Sequence, residues 1–165
     1  MADVSEAALD NGRSIITKSL TRIARKAHPD SEADQKALIA KVFDNVETTT
    51  SGEEAVRDTD LVVEAIVENL DTKIKLFGHL DTLAPTDAIF ASNTSSLSIA
   101  AIASACSDER KARFAGFHAF NPVPAMKLVE VVSVEGVTTD GTTEALLGLC
   151  TTMGKTPVRC KDTPG

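Results

Sequence analysis

Neither tryptophan nor tyrosine occurs in the 165 residues, which removes the aromatic anchors most often found at interfaces. Cysteine is scarce as well: Cys106, Cys150 and Cys160 are widely spaced, odd in number and form no CxxC pair. That spacing indicates neither a disulfide framework nor a zinc site, and it reads as a reducing compartment. No apolar run approaches the roughly 18 residues needed to span a bilayer. The N-terminal MADVSEAALDNG is acidic rather than basic and apolar, so no membrane span, signal peptide or transit peptide is read here. With 17 basic against 24 acidic residues, a net charge of -7 and no Lys/Arg-rich block, the chain is a poor partner for nucleic acid. A local basic patch for a small anion is not excluded. There is no GxGxxG turn, no internal repeat and no low-complexity segment.

What is present is enough for one ordinary core. The chain is 42% hydrophobic and 25% charged, which predicts a single folded domain or most of one. From Val4 to Ala27 the apolar residues Ala7, Ala8, Ile15, Ile16, Leu20, Ile23 and Ala24 recur at helical period, with Gly12 as a weak point. Pro29 ends that helix near His28, and a second helix is predicted over Glu32 to Val42 with Ser31 as its N-cap. Short units then alternate: NVETTT, a small helix in SGEEAVRD, the strand-like DLVVEAIVEN, a helix over Asp71 to Leu83 and the strand-like AIFAS. The second half continues with a short helix near Leu97 to Ala105, strands in RFAGFHAF and KLVEVVSV, a helix over Asp140 to Met153 closed by Gly154, and a last strand in TPVRC. Apolar strands alternating with helices predict an α/β domain on a largely parallel sheet.

Three stretches could carry chemistry. In DLVVEAIVEN, Glu68 and Asn69 fall just past the apolar run, at the edge where open α/β sheets bind ligands. Glu68 taken alone is equally well a solvated loop residue. In FASNTSSLSI, a strand runs into Asn93, Thr94, Ser95 and Ser96 and then into a helix. That arrangement offers hydroxyls and backbone N–H groups to a polar ligand, although one serine capping the helix explains it more simply. In RFAGFHAFNPVPAMKLVEVV, His118 follows an apolar strand, two prolines force an extended turn, and Glu130 lies in the returning strand. A carboxylate on a buried strand needs a donor, and a histidine twelve residues away across the turn is a natural one. The pair would form a general base and its orienting group. The bland alternative is a satisfied core histidine. His28 in a turn and His79 in a helix have weaker claims.

SNTSSL, HAFNPVPAMKLVEVV, DLVVEAIVEN and CKDTPG together resemble the short-chain L-3-hydroxyacyl-CoA dehydrogenase family over essentially the whole chain. The resemblance implies an incomplete Rossmann-like, doubly wound, largely parallel sheet with an inserted helical hairpin. It implies NAD as cofactor and a 3-hydroxyacyl-CoA substrate, oxidised to the 3-ketoacyl-CoA in fatty-acid β-oxidation. By the same resemblance His118 is the base, Glu130 its partner, and Ser95 touches both substrate and nicotinamide. Asp3, Glu68, Lys73 and Asn121 match NAD contacts, while Ser19 and Lys26, on one face of the long helix, match CoA contacts. Lys26 without the family would be a solvated basic helix end. The residues depart from the family in three ways. A first strand with GxGxxG is absent, the sequence stops at KDTPG before the segment with a catalytic asparagine and the helical dimerisation domain, and Ala119 replaces a common aromatic. The expectation is therefore a fragment or shortened isoform of a homodimeric, mitochondrial-matrix enzyme, with weak NAD affinity and little turnover by itself. A non-catalytic CoA- or nucleotide-binding module and a crystallin-like protein on the same fold are the rivals.

Overall fold

The computed structural model describes residues 1–163; the last two residues of CKDTPG lie outside them. The chain divides into two units, Met1–Ala55 and Val56–Gly165.

In the first unit, helix α1 (Glu6–Ala27) and helix α2 (Glu32–Phe43) form a packed hairpin. Ser5 caps α1 by accepting the Ala8 N–H, and Ser31 caps α2 by accepting the Asp34 N–H, each at 3.2 Å. Each hydroxyl satisfies an N–H that a helix start leaves without a partner. Arg25 and Lys26 sit in the last turn of α1, complementing its dipole. The guanidinium of Arg13 lies over the Phe43 ring at 4.9 Å. Gly12 does not interrupt the helix. NVETTT is not a strand: it contributes one isolated parallel bridge, Thr49 to Ala2. The short helix α3 (Gly52–Val56) follows.

The second unit is a five-stranded sheet in sequential order: β1 (Leu61–Glu64), β2 (Ile89–Ser92), β3 (Phe114–Ala119), β4 (Leu128–Ser133) and β5 (Thr156–Lys161). All neighbours are parallel except β3 and β4. The connection between those two, residues 120–127, holds no helix, so the chain turns straight back; its Asn121–Pro122 peptide is cis. The other strands are joined through helices α4 (Leu70–Asp81), α5 (Ile99–Ile102, continuing in a 3-10 turn), α6 (Asp108–Ala112) and α7 (Asp140–Thr152). The largely parallel, doubly covered sheet expected from the alternation is therefore present.

Alternate residues of the strands feed two cores. Phe90 and Phe114 face α4 and α5, where Phe77 meets their rings at 5.5 and 4.6 Å beside Leu80, Ile99 and Ile102. Ala91, Ala115, Phe117, Val129 and Val131 face α7 through Leu146 and Cys150. Gly116 lets β3 and β4 close up, since a Cβ there would lie 2.8 Å from Val132 Cβ. Burial pushes the Cys106 thiol up to about 11, with nearby Asp81 adding to it, so this cysteine is inert rather than nucleophilic.

One expectation of length is corrected, and one element is added. DLVVEAIVEN is strand only over Leu61–Glu64, because the Ile66 N–H turns to donate to the Glu64 side chain at 2.6 Å and takes the backbone out of the ladder. Helix α6, in the charged stretch SDERKA, has no apolar periodicity and was not expected from the sequence.

Candidate functional site

Strands β1, β2 and β3 run parallel and all end on one edge, with Glu64 level with Ser92 and Ser92 level with Gly116. That edge gathers the chemistry-bearing residues of the second unit. His118 and Glu130 are direct cross-strand partners in the β3/β4 ladder. His118 Nδ1 lies 2.8 Å from Glu130 Oε2. An ionised Glu130 can only accept, so the ring proton sits on Nδ1 and Nε2 presents a lone pair. Among the described residues nothing bonds Nε2. The Phe120 ring packs against the imidazole at 4.4 Å. Glu130 differs from expectation in one respect: its side chain is 36% exposed rather than buried.

The end of β2 is tied to the histidine. Asn93 Oδ1 accepts the Ala119 N–H at 2.8 Å, one residue past His118, while the Asn93 N–H donates to the Glu64 carbonyl at 2.8 Å. One asparagine thus links the ends of all three parallel strands.

Glu68 organises the SNTSS turn. Its Oε1 accepts the Thr94 hydroxyl and, at 3.1 Å, the Ser95 N–H; its Oε2 lies 3.4 Å from Lys73 Nζ. Desolvation alone would raise the Glu68 pKa, but the Thr94, Ser95 and Lys73 interactions outweigh it and hold the carboxyl below its ordinary 4.5. At neutral pH Glu68 is therefore an acceptor only. Ser95 is exposed, and among the described residues its hydroxyl has no hydrogen-bond partner. Asn121 is exposed in the turn between β3 and β4.

Lys73 is placed differently from a free ligand-binding cation. It is buried in α4 and ion-paired at 2.5 Å with Glu64, so it meets the edge through Glu68. Asp3, Ser19 and Lys26 belong to the first unit. Asp3 is exposed, its Oδ1 accepting the Val4 N–H at 2.7 Å. Ser19 is half-buried and Lys26 exposed, two turns apart on α1.

The sequence reading missed Glu64, Ser92 and the linking role of Asn93. A signal for Glu64 was there: it is a charge in the middle of the apolar LVVEAIV.

The edge can accept a hydroxyl proton at His118 Nε2, hold polar hydroxyls at Glu68, and donate from Ser95 and Asn121. That donor and acceptor set can meet a polar ligand bearing hydroxyl and amide groups.

Comparison with known proteins bears directly on this arrangement. The family described as 3-hydroxyacyl-CoA dehydrogenase, NAD binding domain, matches residues 1–163. The mitochondrial hydroxyacyl-coenzyme A dehydrogenase of Rattus norvegicus is 47% identical over all 165 residues, which cover 52% of its length. A probable 3-hydroxyacyl-CoA dehydrogenase of Caenorhabditis elegans is 45% identical over the same span, again 52% of its length. The chain thus spans about half the length of these relatives. Among solved structures, 3-hydroxybutyryl-CoA dehydrogenase of Escherichia coli K12 superposes with a TM-score of 0.85 at 37% identity, over 99% of this chain and 33% of that one. The (S)-3-hydroxybutyryl-CoA dehydrogenase of Ralstonia eutropha gives 0.85 at 38% identity, over 100% of this chain and 55% of that one.

Proposed function

Because the chain belongs to the family of 3-hydroxyacyl-CoA dehydrogenase NAD-binding domains, we propose that it serves NAD-dependent oxidation of an L-3-hydroxyacyl-CoA to the 3-ketoacyl-CoA. The observation that carries this reading is the 2.8 Å His118–Glu130 pair on the strand edge, with Nε2 left to receive a proton. When bound, NAD supplies the hydride acceptor. His118 Nε2 takes the 3-hydroxyl proton as the C3–H bond breaks, and Glu130 stabilises the imidazolium that forms. Ser95 orients the substrate oxygen and the nicotinamide. Glu68 accepts from a cofactor hydroxyl, with Lys73 behind it, and Asn121 and Asp3 complete the cofactor contacts. Ser19 and Lys26 take the CoA moiety, the lysine meeting a phosphate.

On the same reading these residues are the NAD-binding part of the enzyme, and its helical dimerisation domain is built from residues other than these. Relatives from Rattus norvegicus and Sus scrofa are named mitochondrial, which supports the mitochondrial matrix and a role in β-oxidation. A purely CoA- or nucleotide-binding role would leave the His118–Glu130 pair without a task.

Two measurements test the proposal. Calorimetric titration with NADH is expected to show binding that Glu68→Ala weakens; no binding, or binding indifferent to that change, overturns the cofactor assignment. In the NADH-linked reduction of acetoacetyl-CoA, by this chain or by a longer form carrying it, His118→Gln is expected to lower turnover by roughly 10²- to 10⁴-fold. Unchanged turnover would remove His118 from the mechanism.

A further inference from the structure

We propose that Glu64 is a positioning residue: from beneath the strand edge it fixes Lys73, and through Lys73 it sets the place of Glu68 and the shape of the SNTSS turn. The inference deepens the cofactor reading and rests on it.

Glu64 is 4% exposed, and both its oxygens are engaged. Oε1 accepts from Lys73 Nζ at 2.5 Å and from the Ile66 N–H at 2.6 Å; Oε2 accepts the Ser92 hydroxyl at 2.6 Å. The carboxylate is therefore held by β1, β2 and α4 together. The ammonium it grips is 1% exposed and has a second carboxylate, Glu68, 3.4 Å away. An ammonium buried this deeply stays charged only where an anion meets it.

The two carboxylates are not equivalent. Glu64 is sealed and bonded through both oxygens, whereas the Glu68 side chain is 40% exposed. If Glu68 were the sole partner, a mobile surface side chain would have to follow a buried cation. With Glu64 in place the cation is stationary, and Glu68 is drawn to a fixed point. There its Oε1 collects the Thr94 hydroxyl and the Ser95 N–H, and the Thr94 oxygen in turn accepts the Leu97 N–H at 3.0 Å. One buried acid thus reaches the exposed Ser95 through a continuous chain of contacts. Stability alone does not explain the pair, because apolar side chains of similar volume commonly replace buried ion pairs without loss. Geometry at the edge is what an apolar pair could not supply.

The test compares the unaltered chain with Glu64→Gln and with the double variant Glu64→Leu/Lys73→Met, which leaves no unpaired buried charge and remains foldable. Amide hydrogen exchange is followed residue by residue, NADH binding is followed by titration, and unfolding midpoints are recorded. Positioning predicts that the Ser95 amide exchanges about tenfold faster in both variants and that the NADH Kd rises about tenfold, the range typical of losing a side chain that orients a ligand-binding group. Val131 in the sheet interior should keep its protection. The double variant should stay folded, with a midpoint lowered only by the loss of an acceptor for the Ser92 hydroxyl and the Ile66 N–H, yet bind NADH weakly. Normal Ser95 exchange in both variants, or normal NADH affinity in the folded double variant, would overturn the proposal. If the unaltered chain takes no NADH, the cofactor assignment falls, while Ser95 exchange still decides whether Glu64 holds the turn.

Discussion

A histidine placed directly across an antiparallel ladder from a glutamate has its ring orientation set by the backbone as well as by the hydrogen bond. Changing Glu130→Gln keeps the volume and one possible contact but removes the negative charge that, in the proposed mechanism, holds the proton on Nδ1 and stabilises the imidazolium. Turnover in the acetoacetyl-CoA assay should fall roughly 10²-fold or more, with a smaller change in KM. An unchanged kcat would show that the glutamate only packs. This pair was legible in the sequence for a simple reason: an apolar strand, a two-proline turn and a second apolar strand leave a hairpin as the short path, and a spacing of twelve residues then brings 118 and 130 together. Glu64 was not legible in the same way. LVVEAIVEN reads as one long strand with its acid at the far end, whereas the strand stops at the inner acid because the Ile66 N–H bonds to that side chain. The charge inside LVVEAIV marked the position of Glu64, but that its side chain ends the strand is a contact no pattern of apolar positions records. Lys73, five residues beyond Glu68, gave no sequence sign of being buried, since lysine on a helix is ordinarily solvated.

At the scale of elements, periodicity located the long helices to within a few residues and failed on α6. Five residues of mostly charged sequence have no apolar stripe, and what holds α6 is tertiary contact. Arg110, 2% exposed, donates to Asp81 Oδ1 at 2.8 Å, to the Pro85 carbonyl at 2.7 Å and to the Ala88 carbonyl, with its guanidinium 4.2 Å from the centre of the Phe90 ring. The Asp81 carboxylate also accepts the Ser107 N–H at 2.7 Å, fixing the helix start. Burial would raise the Asp81 pKa, but the Ser107 and Arg110 interactions outweigh it and hold it below the ordinary 3.8. A carboxyl depressed in the folded state stabilises fully above its unfolded value and loses that contribution as pH falls through the folded one. Asp81→Asn should therefore destabilise by about 3 kcal/mol at pH 7, because it leaves the Arg110 charge buried with only carbonyls for partners. It should also flatten the loss of stability expected of the unaltered chain as pH falls below about 4. Urea denaturation at pH 7 and across pH 2–5 checks both. A variant of equal stability at pH 7, or an equally steep acid limb, would assign the clamp to the carbonyl contacts instead.

The two units of the whole molecule are built unequally. Among the described residues, the buried apolar side chains lie almost wholly in the second unit, where four phenylalanines and both faces of the central strands are covered. The first unit contributes only Leu9 and Ala24; α2 has no buried residue, while Ile15 and Ile23 of α1 are 59% and 51% exposed. The sequence showed one long amphipathic helix and a second, capped helix here, but it could not show how little of the first one's apolar stripe would be covered, because amphipathic spacing records a face and not its partner. Apolar burial is the main stabilising term in folding, so local opening should be cheapest where burial is least. Limited trypsin digestion at neutral pH is expected to cut first after exposed basic residues of the hairpin, Arg22, Arg25 or Lys26. A resistant fragment beginning near residue 56 should then accumulate, identifiable by its mass and N-terminal sequence. If 3-hydroxyacyl-CoA or free CoA binds α1 as proposed, its addition should slow those first cuts in proportion to occupancy, by mass action on the closed form. First cleavage within α4 or α7, or cuts in the hairpin no faster than in the sheet, would mean that the hairpin draws its stability from something other than its own apolar burial.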